Sequence, residues 1–175
     1  MTGETVAFFH VGPGPQTLLR HEFAAPIGRV FDAWTDGATL AKWWGPRAIS
    51  VSECSVDFSE GGSYRITMQD PDGAQYPMAG TFHDIVRPTR YTMLVGLDEH
   101  PAEWIAAFRP KGTPLEFVPL DWKYDISFRE RHGVTTVEVL ATYPVVEDCD
   151  AMISMGAEEG WGESFEKLDL LLVSG

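Results

Sequence analysis

Residues 148–172 read Asp148-Cys149-Asp150-Ala151-Met152-Ile153-Ser154-Met155-Gly156-Ala157-Glu158-Glu159-Gly160-Trp161-Gly162-Glu163-Ser164-Phe165-Glu166-Lys167-Leu168-Asp169-Leu170-Leu171-Leu172. From Ile153, at about 100° per residue, Ile153, Ala157, Trp161, Phe165, Leu168, Leu171 and Leu172 share a sector about 120° wide. Glu159, Glu163 and Glu166 fall outside it. The spacing predicts one unbroken amphipathic helix lying on something apolar. Asp148 or Asp150 is expected to cap its start, with Glu163 and Lys167 paired one turn apart. Gly156, Gly160 and Gly162 each cost about 1 kcal/mol relative to Ala inside a helix. Two readings follow. The helix is an ordinary core helix with tolerated glycines, or it covers a cavity and the glycines leave room beside it.

A chain of 175 residues with 44% hydrophobic content is long enough for a real core. No apolar run reaches the ~20 residues of a membrane span, so no membrane insertion is expected. Met1 to His10 lacks a basic segment followed by an apolar one, so no secretory signal is visible. The net charge of -13 opposes nucleic acid and anionic membrane surfaces as partners. Cys54 and Cys149 fit reduced thiols in a cytoplasmic protein. The five histidines are scattered singly, without HExxH or CxxC spacing, and there is no phosphate-cradling loop or GxSxG elbow. No metal and no cofactor are expected.

Upstream, residues 1–16 form an N-terminal extension in which Val6 to Phe9 can add an edge strand. Residues 17–175 are expected to form one domain. Thr17 to Ala24 reads as a strand. Pro26 opens a helix carrying Ile27, Val30, Phe31 and Trp34 on one face. Asp36 caps a second short helix with Leu40, Trp43 and Trp44, and Gly45-Pro46 stops it. From Ile49 to Tyr143 the period becomes two, broken by turns at Glu60-Gly61-Gly62, Asp70-Pro71-Asp72-Gly73, Arg87-Pro88-Thr89 and His132-Gly133. The pattern predicts an antiparallel meander, interrupted by a segment at 98–119 with neither period. That segment holds Trp104, Phe108 and Phe117 among four prolines, and Ala102 to Phe108 has the makings of a short helix. It is either a folded flap near a pocket mouth or interface, or an insertion without a role.

The order is strand, two short helices, a curved antiparallel sheet of about six to seven strands, and a long C-terminal helix. This α+β order resembles the helix-grip superfamily of START-like and birch-pollen-allergen-like (SRPBCC) proteins. Several phrases are similar to the activator-of-Hsp90-ATPase-homologue family. They are Ala25-Pro26 with Val30-Phe31-Asp32-Ala33-Trp34-Thr35-Asp36, then Leu40-Ala41-Lys42-Trp43-Trp44-Gly45-Pro46. Asp57-Phe58-Ser59-Glu60-Gly61-Gly62-Ser63-Tyr64-Arg65, Asp72-Gly73 and Gly80-Thr81-Phe82 follow. Glu158-Glu159-Gly160-Trp161 and Phe165-Glu166-Lys167-Leu168 close the series. The resemblance implies a helix-grip fold. It leaves function open among hydrophobe carriers, polyketide cyclases, hydrolases, stress proteins and a co-chaperone domain, and it carries over no catalytic motif.

The candidate ligand-binding residues are Trp34, Trp44, Tyr64, Met68, Trp122, Tyr124, Met155 and Trp161. Aromatic faces, phenolic hydroxyls and adaptable thioethers suit a flat or greasy molecule, although the same residues also make an ordinary core. Arg65 is expected on the outer face with an acidic partner. His83 and Glu138 are the best acid/base candidates, with ordinary sheet-surface roles as the plainer alternative. The expected partner is a small hydrophobic molecule held between sheet and C-terminal helix. An enzyme of cyclase, dehydratase or hydrolase type in the same cavity, and a chaperone-interaction module, are the alternatives. The sequence leaves a homodimer open.

Overall fold

Alternation of side chains builds the sheet. On β7, Asp121–Arg131, the side chains of Trp122, Tyr124, Ile126 and Phe128 are buried while Lys123 is exposed. Strand geometry sends successive side chains to opposite faces, so one face becomes core and the other meets water. The computed structural model describes residues 6–175. Residues 1–5 of the expected N-terminal extension, and the first half of the stretch read for a secretory signal, lie outside the described residues.

Eight described strands form one antiparallel sheet. Besides β7 they are β1 (Ala7–His10), β2 (Gln16–Phe23), β3 (Ser50–Val56), β4 (Ser63–Gln69), β5 (Gln75–Val86), β6 (Arg90–Gly96) and β8 (Val134–Thr142). Their spatial order is β1-β2-β8-β7-β6-β5-β4-β3. The count exceeds the expected six to seven because the edge strand of the N-terminal stretch forms, pairing Ala7 with Arg20 and His10 with Thr17. β2 pairs with β8, far away in sequence, with Leu18 opposite Leu140. Gly80 on β5 sits where a Cβ would lie 1.8 Å from the carbonyl oxygen of Leu94, so only glycine lets β5 approach β6 there.

Two helices interrupt the sheet, as the sequence predicts. α1 spans Ile27–Thr35, directly after extended Pro26. α2 spans Gly37–Trp43, and the Asp36 carboxylate accepts from the Thr39 N–H at 2.9 Å. That N-cap bond, with the Thr39 hydroxyl as its largest cause, holds the Asp36 carboxyl below its ordinary pKa. Segment 98–119 contains α3 (Ala102–Phe108) and a 3-10 turn at Pro114–Phe117.

The C-terminal segment differs from expectation. It is two helices, α4 (Val146–Ser154) and α5 (Ala157–Ser174). Gly156 takes φ +82°, and its N–H bonds back to the Ile153 carbonyl at 3.1 Å. A glycine in the left-handed region just past a helix end is a C-terminal stop, and here it divides the predicted helix. The division also breaks the stripe. Ile153 is 46% exposed, while Phe165, Leu168 and Leu172 stay buried. Neither Asp148 nor Asp150 caps a helix start, because α4 begins earlier and Asp148 is buried against Arg109. Glu163 and Lys167 turn outward to the α2–β3 corner: Glu163 accepts from the Arg47 N–H at 2.8 Å, and Lys167 donates to the Pro46 carbonyl at 3.3 Å.

α5 packs on α1, α2 and β2. At that contact the rings of Trp34 and Trp161 lie nearly parallel, 12° apart with centroids at 6.3 Å, and Phe165 touches both. Trp43 donates its indole N–H to the Ala33 carbonyl at 2.9 Å, which ties α2 to α1.

Candidate functional site

Toward the other end of the sheet, the inner face and the helices separate. A cavity of about 190 Å³ opens where α4 passes to α5. Met68 of β4, Met78 of β5 and Val95 of β6 form its floor, with Trp122 and Tyr124 of β7. Trp44, Gly45 and Pro46, at the end of α2, form one wall. Met152 of α4 and Ala157, Gly160, Trp161 and Ser164 of α5 form the roof. His100 and Trp104 come from segment 98–119. The cavity is therefore roofed at a helix break, and not by the middle of one long helix.

The 98–119 segment is a folded flap. Trp104 stacks on Phe108 at 4.5 Å and 29°, and Phe108 meets Trp122 at 5.6 Å. The flap is fixed at two points by arginines. Arg65, on the outer face of β4, takes both carboxylate oxygens of Glu99 at 2.9 and 2.8 Å and reaches Glu53 at 3.2 Å. At the other point Arg109 is bonded to Asp148 of α4 and to the carbonyls of Phe108, Val118 and Pro119.

No Asp, Glu, Lys or Arg lines the cavity, and its polar groups are few. His100 Nδ1 lies 2.9 Å from the Pro77 carbonyl. A carbonyl only accepts, so Nδ1 carries the hydrogen and the neutral ring keeps its lone pair on Nε2. Burial lowers the His100 pKa, opposed by the Pro77 bond, so the neutral ring is the favoured form. The only hydrogen bond of the ring among the described residues is the one at Nδ1. Ser164 gives its hydroxyl hydrogen to the Gly160 carbonyl at 2.9 Å, which leaves only lone pairs to offer. Burial raises the Tyr124 hydroxyl well above its ordinary pKa, so it stays protonated. The Trp122 indole N–H is buried without an acceptor among the described residues.

The sequence profile described as Activator of Hsp90 ATPase homolog 1-like protein matches residues 24–172. The chain belongs to this family. Solved structures agree over nearly the whole length. Protein NE0264 from Nitrosomonas europaea is 25% identical, with TM-score 0.75, covering 94% of this chain and 97% of that one. Protein Ms6760 from Mycobacterium smegmatis is 25% identical, with TM-score 0.77 and coverages of 97% and 98%. An AHSA1 protein from Silicibacter pomeroyi, at 23% identity, TM-score 0.66 and coverages of 90% and 97%, shares the fold. No curated protein matches the chain. Among the described residues no helix is long and apolar enough to cross a membrane.

Within this family fold, five of the eight candidate residues come together around the cavity: Trp44, Met68, Trp122, Tyr124 and Trp161. Three do not. Trp34 is packed into the aromatic cluster beneath α5, with Trp43, Trp44 and Phe128 around it. Tyr64 is buried on the same face as Met68 but gives its hydroxyl to the Leu94 carbonyl at 2.7 Å. Met155 is 47% exposed at the end of α4, where the helix stops. His83 and Glu138 are both away from the cavity. His83 Nε2 is 2.8 Å from the Thr81 hydroxyl, and Glu138 faces Arg20 across the outer surface at 3.8 Å. His100 and Trp104 also line the cavity and were not among the candidates. His100 carried no sequence signal of its own, though its place beside three aromatics in the aperiodic segment pointed to the flap.

A wider hollow of about 430 Å³ has Leu18, Asp125, Glu138 and Leu140 on its walls. It carries acidic side chains and suits an apolar guest less well.

Proposed function

We propose that this chain binds a small, mainly hydrophobic molecule in the cavity between the sheet and the α4–α5 junction. One observation carries the reading: a preformed space of about 190 Å³ whose walls are aromatic rings, thioethers and aliphatic groups with no ionised side chain. Family membership supports a ligand-binding fold in general and names no ligand. Covering about 200–300 Å² of apolar surface at about 25 cal/mol per Å² yields about 5–7.5 kcal/mol before association costs. Trp44, Met68, Trp122, Tyr124 and Trp161 supply most of that contact, and His100 and Ser164 set orientation. Binding is preferred to catalysis because His100 has no second titratable group at the cavity besides Tyr124, and no carboxylate to orient it.

Native mass spectrometry on freshly purified protein tests this reading, alongside thermal unfolding with toluene as an apolar probe. A retained small molecule, or a melting temperature that rises with probe concentration, supports it. Protein that carries nothing and whose melting temperature ignores the probe sinks it.

A chaperone contact is a second proposal. The family description names an activator of the Hsp90 ATPase, and Val146 and Ile153 of α4 leave apolar surface in solvent. Co-migration with purified Hsp90 at physiological salt is the expected result, and separate migration removes the proposal.

A further inference from the structure

The hydrogens of His100 and Ser164 are committed, and this restricts the chemistry of the guest. His100 spends its Nδ1–H on the Pro77 carbonyl and keeps a lone pair at Nε2. Ser164 spends its hydroxyl hydrogen on the Gly160 carbonyl. These two side chains therefore accept and cannot donate, whereas the Trp122 indole N–H is a buried donor without an acceptor among the described residues. The Tyr124 hydroxyl also lines the cavity and can turn either way. A guest that brings only acceptors leaves both lone pairs unanswered. A carboxylate or an ammonium would be stripped of water with no opposite charge to meet.

Size and surface narrow the class further. Apolar cavities of about 150 Å³ take one benzene ring. This one, at about 190 Å³, has room for a ring and a short substituent. Trp44, Trp104, Trp122 and Trp161 offer ring faces and edges, and Met68, Met78 and Met152 offer sulfur to a ring edge.

We propose that the cavity selects an uncharged, single-ring aromatic alcohol whose hydroxyl donates its hydrogen to His100 Nε2. The inference rests on the cavity being a binding site and adds the polar anchor and the ligand class. A phenol has its ordinary pKa at about 10, so it enters neutral at pH 7. Its ring replaces water against the tryptophans, and its oxygen remains free to accept from the Tyr124 hydroxyl.

Calorimetric or fluorescence titration of the whole chain with p-cresol and with toluene separates the two layers of the argument. The pair differs only in the hydroxyl. Toluene is the more hydrophobic, so burial alone favours it. The expected result is p-cresol tighter by about tenfold, the worth of one good neutral hydrogen bond. His100→Asn keeps a donor for the Pro77 carbonyl and deletes the Nε2 lone pair. It is expected to bring p-cresol to the level of toluene and leave toluene unchanged. His100→Phe, which preserves a ring, should do the same. Equal binding of both probes by the unmodified protein overturns the anchor and leaves the cavity reading intact. Preference for p-cresol that survives both substitutions overturns the role of His100. Failure of both probes to bind overturns the cavity reading itself.

Discussion

Arg109 and Asp148 form a bidentate ion pair, 39 positions apart, with Arg109 4% exposed and Asp148 fully buried. The pair joins the middle of the 98–119 flap, just past α3, to the first turn of α4. Three flap carbonyls take the remaining guanidinium hydrogens, so neither charge is left unanswered. The flap and α4 carry His100, Trp104 and Met152 to the cavity. This contact therefore sets the mouth of the site from a point outside it.

Removing one partner of a buried pair strands the other. Arg109→Met is expected to destabilise the fold by about 3–5 kcal/mol, measured as a fall in the denaturant midpoint. Removing both charges should recover much of the loss, since an apolar pair of similar volume is often neutral or stabilising. Arg109→Met with Asp148→Leu is therefore expected to be more stable than Arg109→Met alone. Equal loss in the single and double variants would mean that the pair matters for packing and not for charge.

Gly156 holds φ +82°, a region that side chains other than glycine enter at a cost of about 1–2 kcal/mol. A Cβ there meets nothing within 4 Å, so conformation alone decides the outcome. Gly156→Ala is expected to lower stability by about 1 kcal/mol or more in equilibrium unfolding. An increase would mean that α4 and α5 had joined into one continuous helix, with the cavity roof redrawn.

The same position explains what could be read from sequence and what could not. Strands with strict alternation, such as Trp122 to Phe128, and the Asp36 cap are local signals and were legible. So was the stripe Phe165, Leu168, Leu172, which α5 buries at its own period. Gly156 was ambiguous, because a helix-interior glycine and a helix-stopping glycine look alike until the backbone angle is known. Asp148 read as a helix cap and Arg109 carried no signal of its own, because their burial depends on a contact between distant segments. Trp34 and Trp44 could not be separated by residue type, since adjacent helices point one into the core and the other at the cavity.

His100 gives the chain a pH dependence of known sign. Burial lowers its pKa from the ordinary 6.5. The unfolded chain therefore binds more protons than the folded one between the two values, and stability rises with pH there. The neutral ring's contribution is complete above about pH 6.5 and is lost as pH falls through that window toward the lowered folded pKa. His100→Asn removes this titration. Between pH 7.5 and pH 5 the unmodified protein is expected to lose more unfolding free energy than the variant. Parallel losses would place the His100 ring in water.

Gly160 separates stability from binding. It lies inside α5 and lines the cavity, and an added Cβ would rest 3.4 Å from the Pro46 ring, at the tight edge of contact. Helix propensity favours Ala over Gly by about 1 kcal/mol at such a site. The new methyl also takes space from a cavity of only about 190 Å³. Gly160→Ala is expected to raise the melting temperature while weakening the binding of toluene several-fold. Both halves are needed. A more stable variant that binds as before would put the guest away from α5, and a less stable one would mean that Pro46 cannot yield the few tenths of an ångström the methyl demands.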